Sequence, residues 1–272
     1  MHRARKSLRR RLDSLVWALL PGICILCAAR TDAAADLCEA CRVSLPTIEQ
    51  PCRRCASFVT DTEEGLCARC RLRPPPFVRT VAAFRYVEPV TRMIHRLKFH
   101  GSRIDARVLG ALLAACIRDE YRNDASAPSL VIPVPLSRKR LLRRGHNQAA
   151  LLARWAGSAL DHDVSIDYRS CRRIRDTPPQ SGLNRAARLR NLEGAFSVTR
   201  SLTDARVAIV DDVMTTGSTV TALAHTLLDA GAAEVHVWAV ARTPRVDSEN
   251  TVPIGHGIDP LESAAGNRRV HR

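Results

Sequence analysis

Val207-Ala208-Ile209-Val210-Asp211-Asp212-Val213-Met214-Thr215-Thr216-Gly217-Ser218-Thr219 decides the architecture of this 272-residue chain. Four consecutive apolar residues, Val207–Val210, suit a strand buried on both faces of a parallel sheet. Two adjacent carboxylates follow, then a loop of small residues. A helix is expected next, capped by Ser218, running to Ala230 and stopped by Gly231. Open α/β sheets bind ligands beyond the carboxyl ends of their strands. A helix start there offers unpaired N–H groups and a positive dipole end, which suit a phosphate. The hydroxyls of Thr215, Thr216, Ser218 and Thr219 add donors, and Gly217 lets the backbone approach closely. Asp211 and Asp212 then need a different partner, and a ribose with free vicinal hydroxyls supplies two donors for two acceptors. The sequence has neither Gly-x-x-x-x-Gly-Lys-Ser/Thr nor Gly-x-Gly-x-x-Gly after an expected strand, so the common nucleotide loops are excluded.

The pattern around this stretch alternates. Strands are expected at Leu130–Val134, Val164–Tyr168, Ala195–Val198 and Glu234–Arg242, with a helix over Gln148–Leu160. Upstream lie a strand-like Val78–Tyr86 and helices over Pro89–Phe99 and Ile104–Tyr121. Pro178, Pro179 and Gly182 make Thr177–Asn191 read as a long mobile loop. The alternation predicts an α/β fold with a central parallel sheet flanked by helices.

Eight of the ten cysteines form four Cys-x-x-Cys knuckles: Cys24/Cys27, Cys38/Cys41, Cys52/Cys55 and Cys67/Cys70. A two-residue gap lets both thiolates of a turn reach one ion, and two knuckles complete a tetrahedral site. The segment is poor in large apolar residues, so a metal is needed to fold it. We expect one or two structural zinc ions, with an iron–sulfur cluster as the minor alternative. Sequential pairing is the simplest arrangement, and the spacing leaves interleaving open. A disulfide scaffold requires secretion, and redox chemistry needs only one such knuckle. Cys116 and Cys171 fall at packing positions.

Net charge is +15, and 39 of the 42 basic residues are Arg. Such a balance favours polyanionic partners or simply a solvated basic surface. Aromatic residues are only 4% of the chain, which argues against a base-stacking platform. The basic start and apolar Leu15–Leu20 look like a secretory leader, but Asp13 interrupts it and no Ala-x-Ala site precedes Cys24. No stretch is long enough for a membrane span, and we read the protein as cytoplasmic. The expected organisation is an amphipathic helix over residues 1–20, a cysteine-rich unit over 21–73, an α/β domain over 77–244 and a disordered tail over 245–272.

The apolar strand, Asp-Asp, two variable residues and Thr-Thr-Gly resemble the signature of type I phosphoribosyltransferases. The cysteine ladder narrows the resemblance to the ComF family of competence-associated proteins. So do Leu97-Lys98-Phe99-His100-Gly101, Pro133-Val134-Pro135-Leu136, Arg144-Gly145-His146-Asn147-Gln148 and Thr177-Pro-Pro-Gln180-Ser-Gly-Leu183 with Arg188 and Asn191. His146 departs from the aromatic residue usual there.

The resemblance implies a double zinc ribbon ahead of a domain that binds phosphoribosyl pyrophosphate. Asp211 and Asp212 would meet the ribose hydroxyls, Thr215–Thr219 the 5′-phosphate, and Mg²⁺ the pyrophosphate. The implied chemistry is displacement of pyrophosphate at the anomeric carbon by a base or amine. Leu130–Leu136 would be the pyrophosphate-side turn, and the stretch around Arg175–Arg188, with Gln180 and Arg188, the lid. Lys98 reads as a phosphate contact or a solvated helix end. Arg144 closes Ser137–Arg144, five of whose eight residues are basic, which suits pyrophosphate, nucleic acid or a wet helix face. The competing function is a non-catalytic factor that handles single-stranded DNA or docks a helicase-like partner on a retained scaffold. A third reading combines the two.

Overall fold

The computed structural model describes residues 22–31, 36–58, 65–122, 124, 126–160, 163–176, 192 and 194–244. The expected helix at 1–20, the loop 177–191 with Gln180 and Arg188, and the tail at 245–272 lie outside these residues.

Five parallel strands form the centre, in the order β3-β9-β8-β4-β5. They are β3 (Arg79–Arg85), β4 (Leu130–Pro133), β5 (Ser165–Ile166), β8 (Arg206–Met214) and β9 (Glu234–Arg242). Strands β8 and β9 are paired on both sides, which explains their nearly unbroken burial. Helices α3 (Val90–His100), α4 (Arg103–Glu120) and α6 (Gln148–Ala159) supply one core, with Leu109, Leu113 and Ile117 wholly buried. Each such side chain contributes about 1.5–3 kcal/mol as an upper bound. Helix α7 (Ser218–Asp229) packs on the other face with Leu223 and Leu227. Crossovers on both faces are what alternating strands and helices require.

Two sequence expectations shift. Strand β8 runs on to Met214 because β9 stays in register with it beyond the end of β4, where Pro133 faces Val210. The carboxylates therefore sit inside the strand. The expected Ala195–Val198 strand is β7 (Phe196–Val198), which leaves the central sheet and pairs antiparallel with β6 (Cys171–Arg173).

The cysteine-rich unit repeats one local design. Strands β1 (Gly22–Ile23) and β2 (Arg30–Thr31) pair antiparallel around the first knuckle. Ala28 donates to Cys24 O at 2.9 Å, and Ala56 to Cys52 O at 2.7 Å. Both alanines take the left-handed conformation, with φ of 61° and 52°. The second knuckle of each pair opens a short helix, α1 (Glu39–Val43) after Cys38 and α2 (Ala68–Leu72) after Cys67. This unit lies along the outer edge of β3. Thr80 N donates to Arg53 O at 3.0 Å, Arg85 N to Pro46 O at 2.8 Å, and Thr47 bridges Phe84. An edge strand's free backbone groups are covered in this way.

Candidate functional site at the carboxyl ends of the strands

Because side chains alternate along a strand, Asp211 follows Val207 and Ile209 on one face and Asp212 follows Ala208 and Val210 on the other. The sheet thus gives the two carboxylates different surroundings. Lys98 Nζ lies 2.8 Å from Asp212 Oδ2. The contact is a close and largely buried ion pair. Burial opposes the Lys98 charge, but Asp212 and then Asp211 outweigh it and raise the ammonium pKa. Lys98 is therefore not a solvated helix end. The sequence showed a lone lysine near a glycine turn but not its partner more than a hundred residues away.

The end of α3 is fixed in place for this pairing. Gly101 closes the helix with φ 62°, and Arg96 binds buried Asp105 through two hydrogen bonds of 2.8 and 2.6 Å. The His146 ring spans Leu97 O at 2.7 Å and Arg144 O at 2.9 Å. The residue that departs from the usual aromatic thus ties α3 to the chain entering α6.

Asp211 is half-buried, and its Oδ1 accepts from Asp212 N at 2.9 Å. Burial and the adjacent Asp212 charge push its carboxyl well above the usual range, and Lys98 only partly offsets them. Two groups flank the carboxylates. Helix α5 (Arg138–Arg144) exposes Arg138, Lys139 and Arg143, whereas Arg144 turns inward and donates to Gln148 Oε1 at 3.1 Å. Its buried Nε has no hydrogen-bond partner among the described residues, and Asp212 lies close enough to oppose the burial that lowers its pKa. Burial lowers the pKa of Arg173, from β6, while Asp176 and then Asp211 oppose it, and Asp176 accepts from Ser137 Oγ at 2.7 Å. The Leu130–Leu136 turn is close by, with Val134 N donating to Val210 O and Asn147 Nδ2 to Val134 O.

The loop after β8 is built for close backbone packing. Gly217, not Ser218, occupies the helix cap, with φ 79°. A Cβ there would stand 2.9 Å from Met214 Cε. Thr216 Oγ1 and Ser218 Oγ lie 2.8 Å apart, while Thr215 is exposed. The first turn of α7 leaves N–H groups without helical partners, so the loop presents amides and hydroxyls together.

The four knuckles pair sequentially. Cys24, Cys27, Cys38 and Cys41 bring their sulfurs within 4.8 Å of one another, as do Cys52, Cys55, Cys67 and Cys70. The Cys27–Cys38 and Cys55–Cys67 sulfurs are each 3.7 Å apart. A tetrahedral zinc–thiolate site has an edge of about 3.8 Å, so both groups fit that metal. Cys116 and Cys171 stay outside both groups and pack against the cores. Among the described residues no helix is long and apolar enough to cross a membrane.

The parallel sheet, the Asp-Asp/Thr-Thr-Gly loop and two four-cysteine groups define a type I phosphoribosyltransferase fold joined to a double zinc ribbon. Family comparison agrees, with the double zinc ribbon domain matching residues 15–72 and the phosphoribosyl transferase domain residues 142–250. The DNA utilization protein YhgH of Salmonella typhimurium is 34% identical over 227 residues, covering 82% of this chain and 91% of that protein. Competence protein F of Haemophilus influenzae is 34% identical over 224 residues, covering 80% and 96%. The chain belongs to the ComF family, whose members include these proteins. Among solved structures, a Staphylococcus aureus hypoxanthine phosphoribosyltransferase is similar over 53% of this chain and 66% of its own, at 15% identity and a TM-score of 0.33.

Proposed function

We propose that the chain binds phosphoribosyl pyrophosphate with Mg²⁺ and transfers its phosphoribosyl group to a base or amine. The observation that carries this reading is the juxtaposition of the Thr215–Thr219 loop with two carboxylates and the inward Arg144. Thr215, Thr216, Gly217, Ser218 and Thr219 take the 5′-phosphate through amides and hydroxyls. Asp211 and Asp212 take the ribose hydroxyls, with Lys98 holding Asp212 in place. Arg144 faces the pyrophosphate side, and Gln180 and Arg188 are proposed for the lid. When bound, Mg²⁺ would neutralise the leaving pyrophosphate, and an ionised Asp211 would offer it a hard oxygen donor. In the transfer, the anomeric C–O bond breaks and its electron pair leaves with pyrophosphate. A C–N bond forms to the acceptor, whose proton goes to solvent. The protein contributes positioning and charge stabilisation.

Calorimetric titration of zinc-loaded protein with phosphoribosyl pyrophosphate and Mg²⁺ tests the binding. Saturable heat that is lost in Asp211→Asn/Asp212→Asn supports it, and no binding in the wild type ends it. Release of pyrophosphate that depends on an added base or amine tests the transfer.

A second reading rests on the exposed basic face of α5 and on relatives named for DNA utilization and competence. In it the chain handles single-stranded DNA or docks a helicase-like partner in the cytoplasm. Its measurement is DNA affinity against salt, where a shallow slope means few phosphate contacts and counts against it.

A further inference from the structure

Arg242 ends β9 and is 2% exposed. Its guanidinium reaches in two directions. On one side Nε donates to Cys55 O at 3.0 Å and Nη2 to Ser57 Oγ at 3.1 Å. On the other Nη1 donates to Met214 O at 2.7 Å, to Thr215 O, and at 3.4 Å to Thr243 O. These acceptors are all neutral oxygens. Cys55 and Ser57 belong to the second four-cysteine unit, Met214 and Thr215 to the junction of β8 with the loop assigned above to phosphate, and Thr243 follows β9. A planar fork can serve both sides at once, which a lysine ammonium cannot.

Two further observations lie along the same line. Ser57 Oγ is 3.3 Å from Cys55 Sγ. When Cys55 is a zinc-bound thiolate it accepts this contact, so Ser57 donates to sulfur while accepting from Arg242. The second cysteine group and the loop also pack directly. A cavity of about 20 Å³ between them is lined by Cys55, Cys70, Met214, Thr216 and Gly217, room for at most one water. The first cysteine group is placed differently, with Cys24 packed among Leu37, Leu45 and Phe84.

We propose that Arg242 is a positioning residue that makes the second four-cysteine centre part of the phosphate loop. Metal at Cys52, Cys55, Cys67 and Cys70 sets the loop geometry, and metal at Cys24, Cys27, Cys38 and Cys41 does not. By linkage, a ligand held by the loop changes the second centre in return. This reciprocal part rests on the binding reading above; the coupling of metal to loop does not.

The test uses the full zinc-loaded chain and two readouts. The first is hydrogen exchange of the loop amides from Thr215 to Val220 without ligand. Exchange at least about tenfold faster is expected in Cys67→Ser and in Arg242→Met, the latter retaining both zinc ions, with no change in Cys27→Ser. Amides of Val207–Val210 serve as the control for global loosening. Equal exchange in Cys67→Ser and Cys27→Ser, or wild-type rates in Arg242→Met, overturns the proposal. If Arg242→Met does not fold, Ser57→Ala removes one acceptor on the cysteine side alone. Faster loop exchange there supports the coupling, and an unchanged rate refutes it.

The second readout is the visible spectrum of cobalt-substituted protein titrated with phosphoribosyl pyrophosphate and Mg²⁺. The cobalt bands should shift in the wild type and in Cys27→Ser, and stay fixed in Arg242→Met. A ligand that binds by calorimetry without shifting the wild-type bands overturns the reciprocal part. If it does not bind while the exchange pattern holds, the functional reading fails and the metal–loop coupling stands.

Discussion

Lys98 Nζ approaches Asp212 Oδ2 to 2.8 Å, with 6% of the Asp212 side chain and 21% of the Lys98 side chain exposed. The pair joins the last turn of α3 to the end of β8, and it commits one of two adjacent carboxylates before any ligand arrives. Removing the cation leaves a buried charge with no compensation. Lys98→Met is expected to lower stability by about 3 kcal/mol, the low end for breaking a buried pair because Lys98 keeps some solvent contact. Urea denaturation at neutral pH measures it. Adding Asp212→Asn to that variant should restore most of the loss, and strictly additive costs would show that the two residues do not interact.

Asp211 makes an opposite prediction. Its carboxyl is raised by burial and by Asp212, so the folded state binds this proton more tightly than the unfolded chain. Between the ordinary carboxylate pKa and the raised one, stability therefore falls as pH rises. Asp211→Asn should melt higher than the wild type at neutral pH, and the gap should close toward acid. Ligand affinity, by contrast, should be lost in this variant at every pH. Melting curves from pH 4 to 8 on the ligand-free proteins decide it, and a gap that is absent at neutral pH defeats the argument.

Gly217 has φ 79° and a would-be Cβ contact of 2.9 Å with Met214 Cε. Gly217→Ala should cost about 1–2 kcal/mol through the left-handed backbone and weaken phosphate binding further by displacing Met214. Inorganic phosphate and ribose 5-phosphate, titrated separately, measure the binding loss.

Two cysteine groups of tetrahedral size predict two zinc ions per chain. Mass spectrometry under native conditions should find both, and Cys27→Ser and Cys67→Ser should each lose one. Loss of both metals from either single variant would mean that the groups do not fill independently.

The Asp-Asp loop, the sequential strands and the knuckles are local signals, and they were legible in the sequence because period, spacing and residue type carry them. The long-range partners were not. Nothing near Lys98 identifies Asp212, and Arg242 reads only as the charged end of an apolar strand. In a chain with 39 arginines, no single one stands out before the fold supplies its acceptors. Strand β8 outruns its apolar stretch for a related reason. Asp211 and Asp212 are poor strand formers, and only pairing with β9 keeps them extended. Ala28 and Ala56 stand in left-handed positions where a glycine would have announced the turn.

The outer margin of β3 has a consequence for the life of the chain. Its backbone is sealed by Arg53, Pro46 and Thr47, residues whose own placement depends on the neighbouring cysteines. A chain starved of zinc would uncover that margin in a sheet that is otherwise finished and sticky along its length. An uncovered edge of this kind is a template for pairing with another copy, so chain made without zinc is expected to self-associate more than zinc-loaded chain. Light scattering of freshly translated chain, with and without zinc, would register this before any ligand is added.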